Sequence, residues 1–337
     1  MIFPRTALRA GPPPMHLQGP AGWSALLSRW KTLPFSPGYG SGRQVHTEAR
    51  DGFGGSNASL YETSRPGYPA EAMRVIEAEI RRSCASVGIV DVATDGKQLL
   101  VDLGAGTGKF TREILPFARS EDFSLVGVEP VKAMREQFVA AVPGVRVVEG
   151  TGESIPLPDS SARALIAAQS FHWMCTQATL REVHRVLLPG GVLVMLWNTR
   201  DYTVPWVRSL EDIIDPFYGD DVPRQHGGHW RQPFLDLRAS GGGKAEGEEQ
   251  QRLGFFGSIT EQHFKHSQML TPEQLDSRIR SISVIATRPE PERADASRRA
   301  RDLVETHPDT RQELQQSGRV ELFYDTEVYC CRKLNLL

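Results

Sequence analysis

The chain has 337 residues, a formal net charge of −2 and 24% charged residues, values typical of a globular protein that can bury a large core. The near-neutral charge excludes a general nucleic-acid or polybasic membrane binder, and no apolar run approaches the ~18 residues of a membrane-spanning helix. The four cysteines lack CxxC spacing and no His/Cys cluster has zinc-site spacing, so we predict neither a disulfide framework nor a metal site. We expect an intracellular protein with reduced thiols.

The first part of the chain differs in composition from the rest. Its first 47 residues hold seven of the 23 prolines and five Lys or Arg residues, and no acidic residue precedes Glu48. The stretch from Trp23 to Leu33 spaces its apolar residues at helical intervals beside basic ones. Two interpretations remain open: a mitochondrial transit peptide, or a disordered leader that carries no address. We expect residues 1–52 to precede the folded domain of a cytoplasmic or, alternatively, a mitochondrial protein.

From about residue 97 the sequence alternates short β-branched runs with helix-length amphipathic runs. The runs predict five strands, at Leu99–Leu103, Ser124–Val128, Val145–Val148, Ala164–Ala168 and Val192–Trp197. The helices predicted between them span about Lys109–Ala118, Val131–Ala141 and Thr176–Leu187. Strands separated by helices form a parallel sheet, because parallel strands need long crossovers. Helices on both faces also explain why these strands are nearly continuous apolar runs.

Beyond Asn198 the pattern is less regular. Apolar spacing predicts a helix over 201–218, two helical stretches near Pro272–Ile285 and Pro291–Glu305, and a closing strand over Arg319–Cys331. Residues 239–252 are rich in glycine and acid, a composition typical of a flexible surface loop.

One turn carries the chemistry of this chain: VDLGAGTGK, residues 101–109, where the first strand passes into the first helix. Its glycines let the backbone turn tightly and approach a ligand, and the helix N-terminus offers free N–H groups. Two phosphate-binding patterns do not fit. Lys109 stands at the third glycine of GxGxxG, and Phe110 follows it where GxxxxGK[ST] needs a hydroxyl residue.

An acidic residue followed by GxGxG resembles motif I of the class I S-adenosylmethionine-dependent methyltransferases. Two further features have the family's spacing: Glu129, which ends the second strand 25 residues after Gly104, and the Pro189-Gly190-Gly191 turn before the fifth strand. A carboxylate at this strand end can accept hydrogen bonds from two ribose hydroxyls. The resemblance implies an α/β, doubly wound, mostly parallel seven-stranded sheet, Rossmann-like, with an antiparallel last strand and inserted C-terminal helices. It also implies S-adenosyl-L-methionine as cofactor.

Other segments resemble the methyltransferase type 11 subgroup, which includes trans-aconitate methyltransferase-like and uncharacterised eukaryotic proteins. They are ASLYETSRPGYP (58–69), GTGESIPLPD (150–159), AQSFHW (168–173), WNTRD (197–201) and RSIS (280–283). The resemblance runs from about residue 53 to the end. We therefore expect a methyltransferase domain over 53–337, with 270–315 as a helical insertion that forms part of the acceptor pocket.

The resemblance implies a cofactor-binding role for ten positions. They are Asp102, Gly104, Gly106, Gly108, Glu129, Gly152, Glu153, Gln169, Tyr61 and Arg65. Asp102 and the glycine turn would hold the methionine portion, Glu129 the ribose, and Gln169 would lie near the sulfonium. Gly152 and Glu153 follow the third strand, near the adenine edge, where many relatives carry an Asp-Ala pair that this chain lacks. Tyr61 and Arg65 would belong to an N-terminal lid.

The acceptor pocket is expected above the carboxyl ends of the fourth and fifth strands, where open α/β folds bind ligands. Its expected walls are Phe171, Trp173, Arg200 and Arg280. Two arginines favour an anionic acceptor, because guanidinium–carboxylate pairing fixes orientation as well as charge. The alternative, that both arginines are ordinary surface or interdomain partners, stays open.

His172 is the candidate catalytic residue, since imidazole is the usual proton acceptor near neutral pH. The alternative is that residues 171–173 are a packed wall of the pocket and that the imidazole is hydrogen-bonded to backbone. An acceptor that is already a carboxylate needs no base, because alignment supplies much of the acceleration of an in-line displacement.

The leading hypothesis is therefore a methyltransferase that acts on a small molecule, with O-methylation of a carboxylate-containing acceptor favoured. Two alternatives remain: a C-methyltransferase of the quinone-biosynthesis type, and a degenerate cofactor-binding module with a regulatory role. A nucleic-acid or protein methyltransferase would typically show an NPPY-like or DPPY-like tetrapeptide after the fourth strand, where this chain has QSFH, residues 169–172.

Overall fold

The computed structural model describes residues 64–85, 97–219, 228–235 and 255–334. The predicted leader, Tyr61 and the predicted loop over 239–252 lie outside these residues. Within the described ranges, no helix is both long and apolar enough to cross a bilayer.

The elements alternate along the chain as the sequence predicts for an α/β fold. The strands are β1 (Leu99–Leu103), β2 (Ser124–Val128), β3 (Arg146–Val148), β4 (Ala162–Ala168), β5 (Leu187–Arg200), β6 (Thr260–Leu270) and β7 (Val320–Arg332). The helices are α1 (Ala70–Ala85), α2 (Lys109–Ser120), α3 (Lys132–Ala141), α4 (Gln177–Val186), α5 (Pro205–Ile214), α6 (Pro272–Arg280), α7 (Ser283–Ala286), α8 (Glu290–Thr306) and α9 (Pro308–Ser317). Short 3₁₀ turns span Phe171–Trp173, Asp215–Phe217 and His229–Arg231.

The seven strands form one sheet in the order β3-β2-β1-β4-β5-β7-β6. Strands β1 to β5 pair in parallel, whereas β7 is antiparallel to both of its neighbours, β5 and β6. The order reverses between β1 and β4, and at such a switch point the crossovers leave a crevice at the carboxyl ends of the strands. The predicted fold class, including the antiparallel last strand, is confirmed.

Both faces of the sheet are buried. Successive residues of a strand point to opposite sides, and each side packs against helices. Leu100 packs with Ile76 of α1 and Ile114 of α2 on one face. Val101 packs on the other face, where Leu180 of α4 belongs to the same cluster. The apolar character of the central strands thus follows from helices that cover both faces.

A separate helical layer packs near one end of β7. Helices α5, α6, α7 and α8 contribute to an apolar cluster that also contains Leu270, Val320, Leu322 and Tyr324 from the ends of β6 and β7. Helices α6 to α9 all lie between β6 and β7 in the chain, so they form the helical insertion predicted near the C-terminus.

Two predicted helices differ from the structure in this second half. The helix predicted over 201–218 is shorter, because the Asp201 carboxylate accepts hydrogen bonds from the Thr203 amide (3.1 Å) and hydroxyl (2.6 Å) and forms a turn before Pro205. Pro216, which has no N–H to donate, lies in the 3₁₀ turn that follows α5. The predicted stretch Pro272–Ile285 divides into α6 and α7 at Ile282, which is extended.

Strand β6 was absent from the prediction. It lies at one edge of the sheet, and most of its residues are exposed. Its sequence, TEQHFKHSQML, is therefore mostly polar and lacks the apolar run that marked the central strands. Helices α1 and α9 were also not predicted; α9 begins with its backbone Asp309 N–H donating to the His307 ring at 3.1 Å.

Candidate cofactor and acceptor site

The glycine turn between β1 and α2 uses three left-handed backbone conformations. Gly104, Gly106 and Gly108 have φ of 73°, 55° and 85°, a region that residues with a Cβ disfavour. A Cβ at Gly104 would also lie 2.6 Å from Ser170 Cβ, and one at Gly108 would lie 2.8 Å from the Phe138 ring. At Gly106 a Cβ would meet nothing within 4 Å. Gly104 and Gly108 are therefore required by packing, whereas Gly106 leaves open space.

Asp102 lies below this turn and is 1% exposed. Its Oδ2 accepts a hydrogen bond of 2.5 Å from the Thr111 hydroxyl of α2, but its Oδ1 is buried without a hydrogen-bond partner among the described residues. Burial raises the pKa of Asp102 to about 7, and the hydrogen bond from Thr111 opposes that rise. A buried oxygen in this state fits a ligand that brings a hydrogen-bond donor or a positive charge.

Glu129 follows β2 and is 6% exposed. Its Oε2 accepts from the Gly106 amide at 2.9 Å, and its Oε1 accepts from the Val131 amide at 2.8 Å. Burial raises the pKa of Glu129, while these two backbone hydrogen bonds lower it. Each carboxylate oxygen retains a lone pair for a further donor such as a hydroxyl.

A cavity opens beside the turn, with a volume of about 500 Å³ that includes its open mouth. It is lined by Arg65, Pro66, Tyr68, Asp102, Gly104, Ala105, Gly106, Thr107, Lys109, Phe110, Ala168, Gln169, Asn198 and Arg278. Five of the predicted cofactor residues meet here: Arg65, Asp102, Gly104, Gly106 and Gln169. The cavity thus lies at the carboxyl edge of the sheet, beside the point where the strand order reverses.

Gly152 and Glu153 are not among the residues that line the cavity. A Cβ at Gly152 would lie 2.8 Å from both Met174 Sδ and Thr179 Oγ1, so this glycine lets the chain pack closely against the start of α4. Glu153 Oε1 accepts a 2.8 Å hydrogen bond from the hydroxyl of Thr176, the N-cap of α4. Both residues therefore fix the loop after β3, and their predicted contact with adenine stays a prediction.

The predicted aromatic wall after β4 folds into a 3₁₀ turn. Phe171 is fully buried, with its ring centroid 6.0 Å from that of Phe234, so it belongs to the core. The His172 Nδ1 atom accepts a 3.0 Å hydrogen bond from the indole N–H of Trp197. Since an indole nitrogen can only donate, the neutral imidazole carries its proton on Nε2. Neither His172 nor Trp173 lines the cavity.

Both arginines predicted to bind the acceptor form ion pairs within the protein. The Arg200 Nη2 atom lies 2.6 Å from Glu211 Oε2, with both side chains nearly buried. Burial lowers the pKa of Arg200, but the Glu211 carboxylate raises it above its ordinary value. Arg280 pairs with Asp276 at 3.0 Å and with Glu290 at 2.8 Å. Neither arginine lines the cavity beside the glycine turn.

Comparison with known proteins identifies the family. The sequence model of the type 11 methyltransferase domain family matches residues 101–195, from β1 into β5. An uncharacterised methyltransferase-like protein of Schizosaccharomyces pombe is 30% identical over 278 residues, which cover 81% of this chain and 92% of the relative. The chain belongs to the methyltransferase family. Together with the observed strand order, this makes it a class I, S-adenosylmethionine-dependent enzyme.

Two other similarities are weaker. A 2-methyl-6-phytyl-1,4-hydroquinone methyltransferase of Oryza sativa is 29% identical to this chain over 128 residues. The match covers 35% of this chain and 39% of the rice protein. The solved structure of phosphoethanolamine N-methyltransferase 2 of Haemonchus contortus, in complex with S-adenosylhomocysteine, gives a TM-score of 0.43. It is 12% identical and covers 85% of this chain and 60% of that chain.

The residues of the methyltransferase fit the cofactor that its family uses. The unpartnered Asp102 Oδ1 suits an ammonium group, and the Glu129 carboxylate suits a ribose diol. The open space at Gly106 leaves room for a ligand against the turn. Gln169 follows β4 and has a left-handed φ of 59°. Its backbone N–H donates to the Leu196 carbonyl at 2.8 Å.

Sequence reasoning missed Arg278, which lines the cavity from α6. A signal for it was present in the helical spacing. Leu275, Arg278 and Ile279 follow the i, i+3, i+4 pattern of one helical face, and all three are buried. Arg280 lies two residues further along the chain and hence on a different side of α6.

Proposed function

We propose that the methyltransferase transfers a methyl group to a carboxylate oxygen of a small organic acid. The single observation that carries this proposal is the charge of the cavity. Arg65, Lys109 and Arg278 are the cations among its described lining residues, and Asp102 is the only acid. Such a lining favours an anionic acceptor, because an excess of positive charge in a cleft attracts anions.

The roles of the chain's residues toward the cofactor follow from their atoms. Asp102 would bind its ammonium group through Oδ1, and Glu129 would accept from the ribose hydroxyls. When bound, S-adenosylmethionine supplies an electrophilic methyl group, whose bond to sulfur breaks as the new bond to the acceptor oxygen forms. Gln169 and Arg65, which line the same cavity, would position the reactants.

A carboxylate acceptor also agrees with the arrangement around His172. The neutral ring has no acceptor atom left, because Nδ1 is engaged by the Trp197 indole at 3.0 Å. A carboxylate nucleophile carries no proton that must be removed, so alignment in the cavity suffices. The resemblance of residues 58–69 and 280–283 to the methyltransferase type 11 subgroup, which includes trans-aconitate methyltransferase-like proteins, gives further support.

The test is release of S-adenosylhomocysteine from S-adenosylmethionine in the presence of single candidate acceptors. The panel contains small carboxylic acids, their methyl esters and hydroquinones, and mass spectrometry locates the transferred methyl group. We expect transfer to at least one acid, with the methyl group on oxygen, and none to the matched fully esterified compound. Transfer to carbon of a hydroquinone, with no acid accepted, would contradict the proposal.

A second candidate function is C-methylation of a hydroquinone. The partial match to the rice 2-methyl-6-phytyl-1,4-hydroquinone methyltransferase favours it. A phenol must lose a proton during such a reaction, and His172 is the candidate base for it. This function requires the imidazole to change its partner from Trp197, so it predicts a large loss of turnover in a His172→Ala variant.

A further inference from the structure

Arg278 is a buried cation whose charge is not balanced in the described part of the protein. Its residue surface is 3% exposed, and its Nε donates to the Tyr324 hydroxyl at 3.3 Å. Its Nη1 is buried and has no hydrogen-bond partner among the described residues. A buried guanidinium in this state requires an anion or another strong acceptor.

Arg278 differs from Arg280, on the same helix, in having no carboxylate partner among the described residues. Arg280 has carboxylates on two sides, Asp276 and Glu290, at 3.0 and 2.8 Å. Arg278 has a neutral phenol instead, from the fully buried Tyr324 of β7. The phenol holds one edge of the guanidinium and leaves another edge for a ligand in the cavity.

Two hydrogen bonds through Ser281 connect Arg278 to Arg65, which lines the same cavity. The Ser281 hydroxyl donates to the Arg278 carbonyl at 2.8 Å, and Arg65 Nη2 donates to the Ser281 carbonyl at 2.9 Å. Arg65 and Arg278 thus lie on one wall, while Asp102 and the glycine turn line the cavity from β1. A cofactor on the turn therefore leaves Arg278, which comes from the helical insertion, to a second ligand.

We propose that Arg278 binds a carboxylate of the acceptor and so selects organic acids as substrates. This inference rests on the proposed function and adds the residue that recognises the acceptor. The guanidinium offers paired N–H groups that match a carboxylate and fix its orientation, which a lysine ammonium cannot do. Tyr324 is a positioning residue, because it accepts from the guanidinium Nε and is not among the residues that line the cavity.

The experiment measures binding by calorimetry, with the site saturated by S-adenosylhomocysteine so that no methyl transfer occurs. The probes are the linear dicarboxylates from malonate to adipate and, as uncharged controls, their dimethyl esters. We expect the wild-type protein to bind at least one dicarboxylate and not its ester. In Arg278→Met that affinity falls at least tenfold, and in Arg278→Lys, which keeps the charge without the paired N–H groups, it falls less.

Two further variants make the result specific to this residue. Arg298→Met removes a charge from an arginine whose side chain is 63% exposed on α8, and dicarboxylate affinity should not change. Arg280→Met removes the neighbouring arginine that sequence analysis favoured. If Arg280→Met loses the dicarboxylate and Arg278→Met does not, the inference is wrong.

The competing occupant of Arg278 is the carboxylate of the cofactor itself. Affinities for S-adenosylhomocysteine and for 5′-methylthioadenosine, which lacks the amino-acid portion, separate the two. For each of these two ligands, we expect Arg278→Met to bind with the same affinity as the wild-type protein. A loss confined to S-adenosylhomocysteine would overturn the inference, as would a wild-type protein that binds no dicarboxylate. Dicarboxylates that bind through Arg278 but are never methylated would instead contradict only the proposed function.

Discussion

The Gly106 amide donates a 2.9 Å hydrogen bond to Glu129 Oε2, so the carboxylate expected to bind the ribose also fixes the glycine turn. The other oxygen of Glu129 holds the Val131 amide at 2.8 Å, at the start of α3. One buried side chain thus connects β2, the turn after β1 and the helix that follows. A change at Glu129 is therefore expected to affect both cofactor binding and the local backbone.

Replacing Glu129 by alanine should weaken S-adenosylhomocysteine binding at least tenfold, as measured by calorimetry. Hydrogen bonds to a charged group each contribute about 1.5–3 kcal/mol, and loss of one alone corresponds to about tenfold or more. The melting temperature should also fall, because two backbone N–H groups lose their acceptor. The matched control is Glu149→Ala, which removes a carboxylate with a 76% exposed side chain. A folded Glu129→Ala protein of unchanged affinity would contradict the ribose assignment.

We expect Gly106→Val to impair mainly cofactor binding and Gly108→Val to impair mainly thermal stability. At Gly106 the new side chain enters open space next to the cavity, so we expect loss of S-adenosylhomocysteine binding with a melting temperature lowered only by the strain of a left-handed φ. At Gly108 it collides with the Phe138 ring, so we expect a larger loss of thermal stability. Thermal unfolding and calorimetry on both variants separate the effects. Normal cofactor binding by Gly106→Val would show that the turn is misassigned.

Much of the sheet was predictable because its central strands are buried on both faces. The predicted bounds of β1 and β2 agree with the structure, since Leu99–Leu103 and Ser124–Val128 are apolar runs that end at a glycine turn and at Glu129. Strand β6 was not predictable in this way. Its stability comes from eleven residues paired along β7, and that pairing leaves no periodic apolar signal in an exposed edge strand.

The candidate site was predictable only where a local motif specifies it. Asp102 and Glu129 lie at strand ends, so their spacing predicts that they approach the same turn. The helical spacing places Arg278 on the buried face of α6, but it does not show that this face meets the cavity. Nor does the sequence specify the ion pairs of Arg280 with Asp276 and Glu290. Arg278 therefore lines the cavity where Arg280 was expected.

The affinity for the cofactor should rise with pH up to about 7. Burial raises the pKa of Asp102 from 3.8 to about 7. Between these two pH values the carboxyl group keeps its proton in the folded protein and has lost it in the unfolded chain. The contribution of this group to stability is therefore present below pH 3.8 and is lost as the pH rises toward 7. An ammonium group requires the ionised carboxylate, so binding below pH 7 should release a proton.

Calorimetry in two buffers of different ionisation enthalpy measures that proton release. Asp102→Asn should abolish it, flatten the pH dependence and lower the affinity for S-adenosylhomocysteine. The control is Asp212→Asn, which changes an exposed acid on α5 and should leave the proton release as in wild type. Equal proton release by wild type and Asp102→Asn would assign the ionisation to another group.

The role of His172 depends on the hydrogen bond that it accepts from Trp197. Trp197 is 2% exposed, so a His172→Ala variant leaves its buried indole N–H without an acceptor, at a cost of about 1–3 kcal/mol in unfolding free energy. With a carboxylate acceptor, kcat should fall less than about tenfold, because no proton is transferred in the reaction and His172 only supports the loop after β4.

The measurements are kcat as a function of pH and the free energy of unfolding, for His172→Ala and His172→Asn. Asparagine keeps an acceptor for the indole but cannot serve as a base near neutral pH. A structural role predicts that His172→Asn recovers much of the lost stability and that kcat stays near wild type in both variants. A general base predicts the opposite: both variants lose about 10²–10⁴-fold in kcat, and the pH profile loses a limb. The latter result would favour the hydroquinone reaction over methylation of a carboxylate.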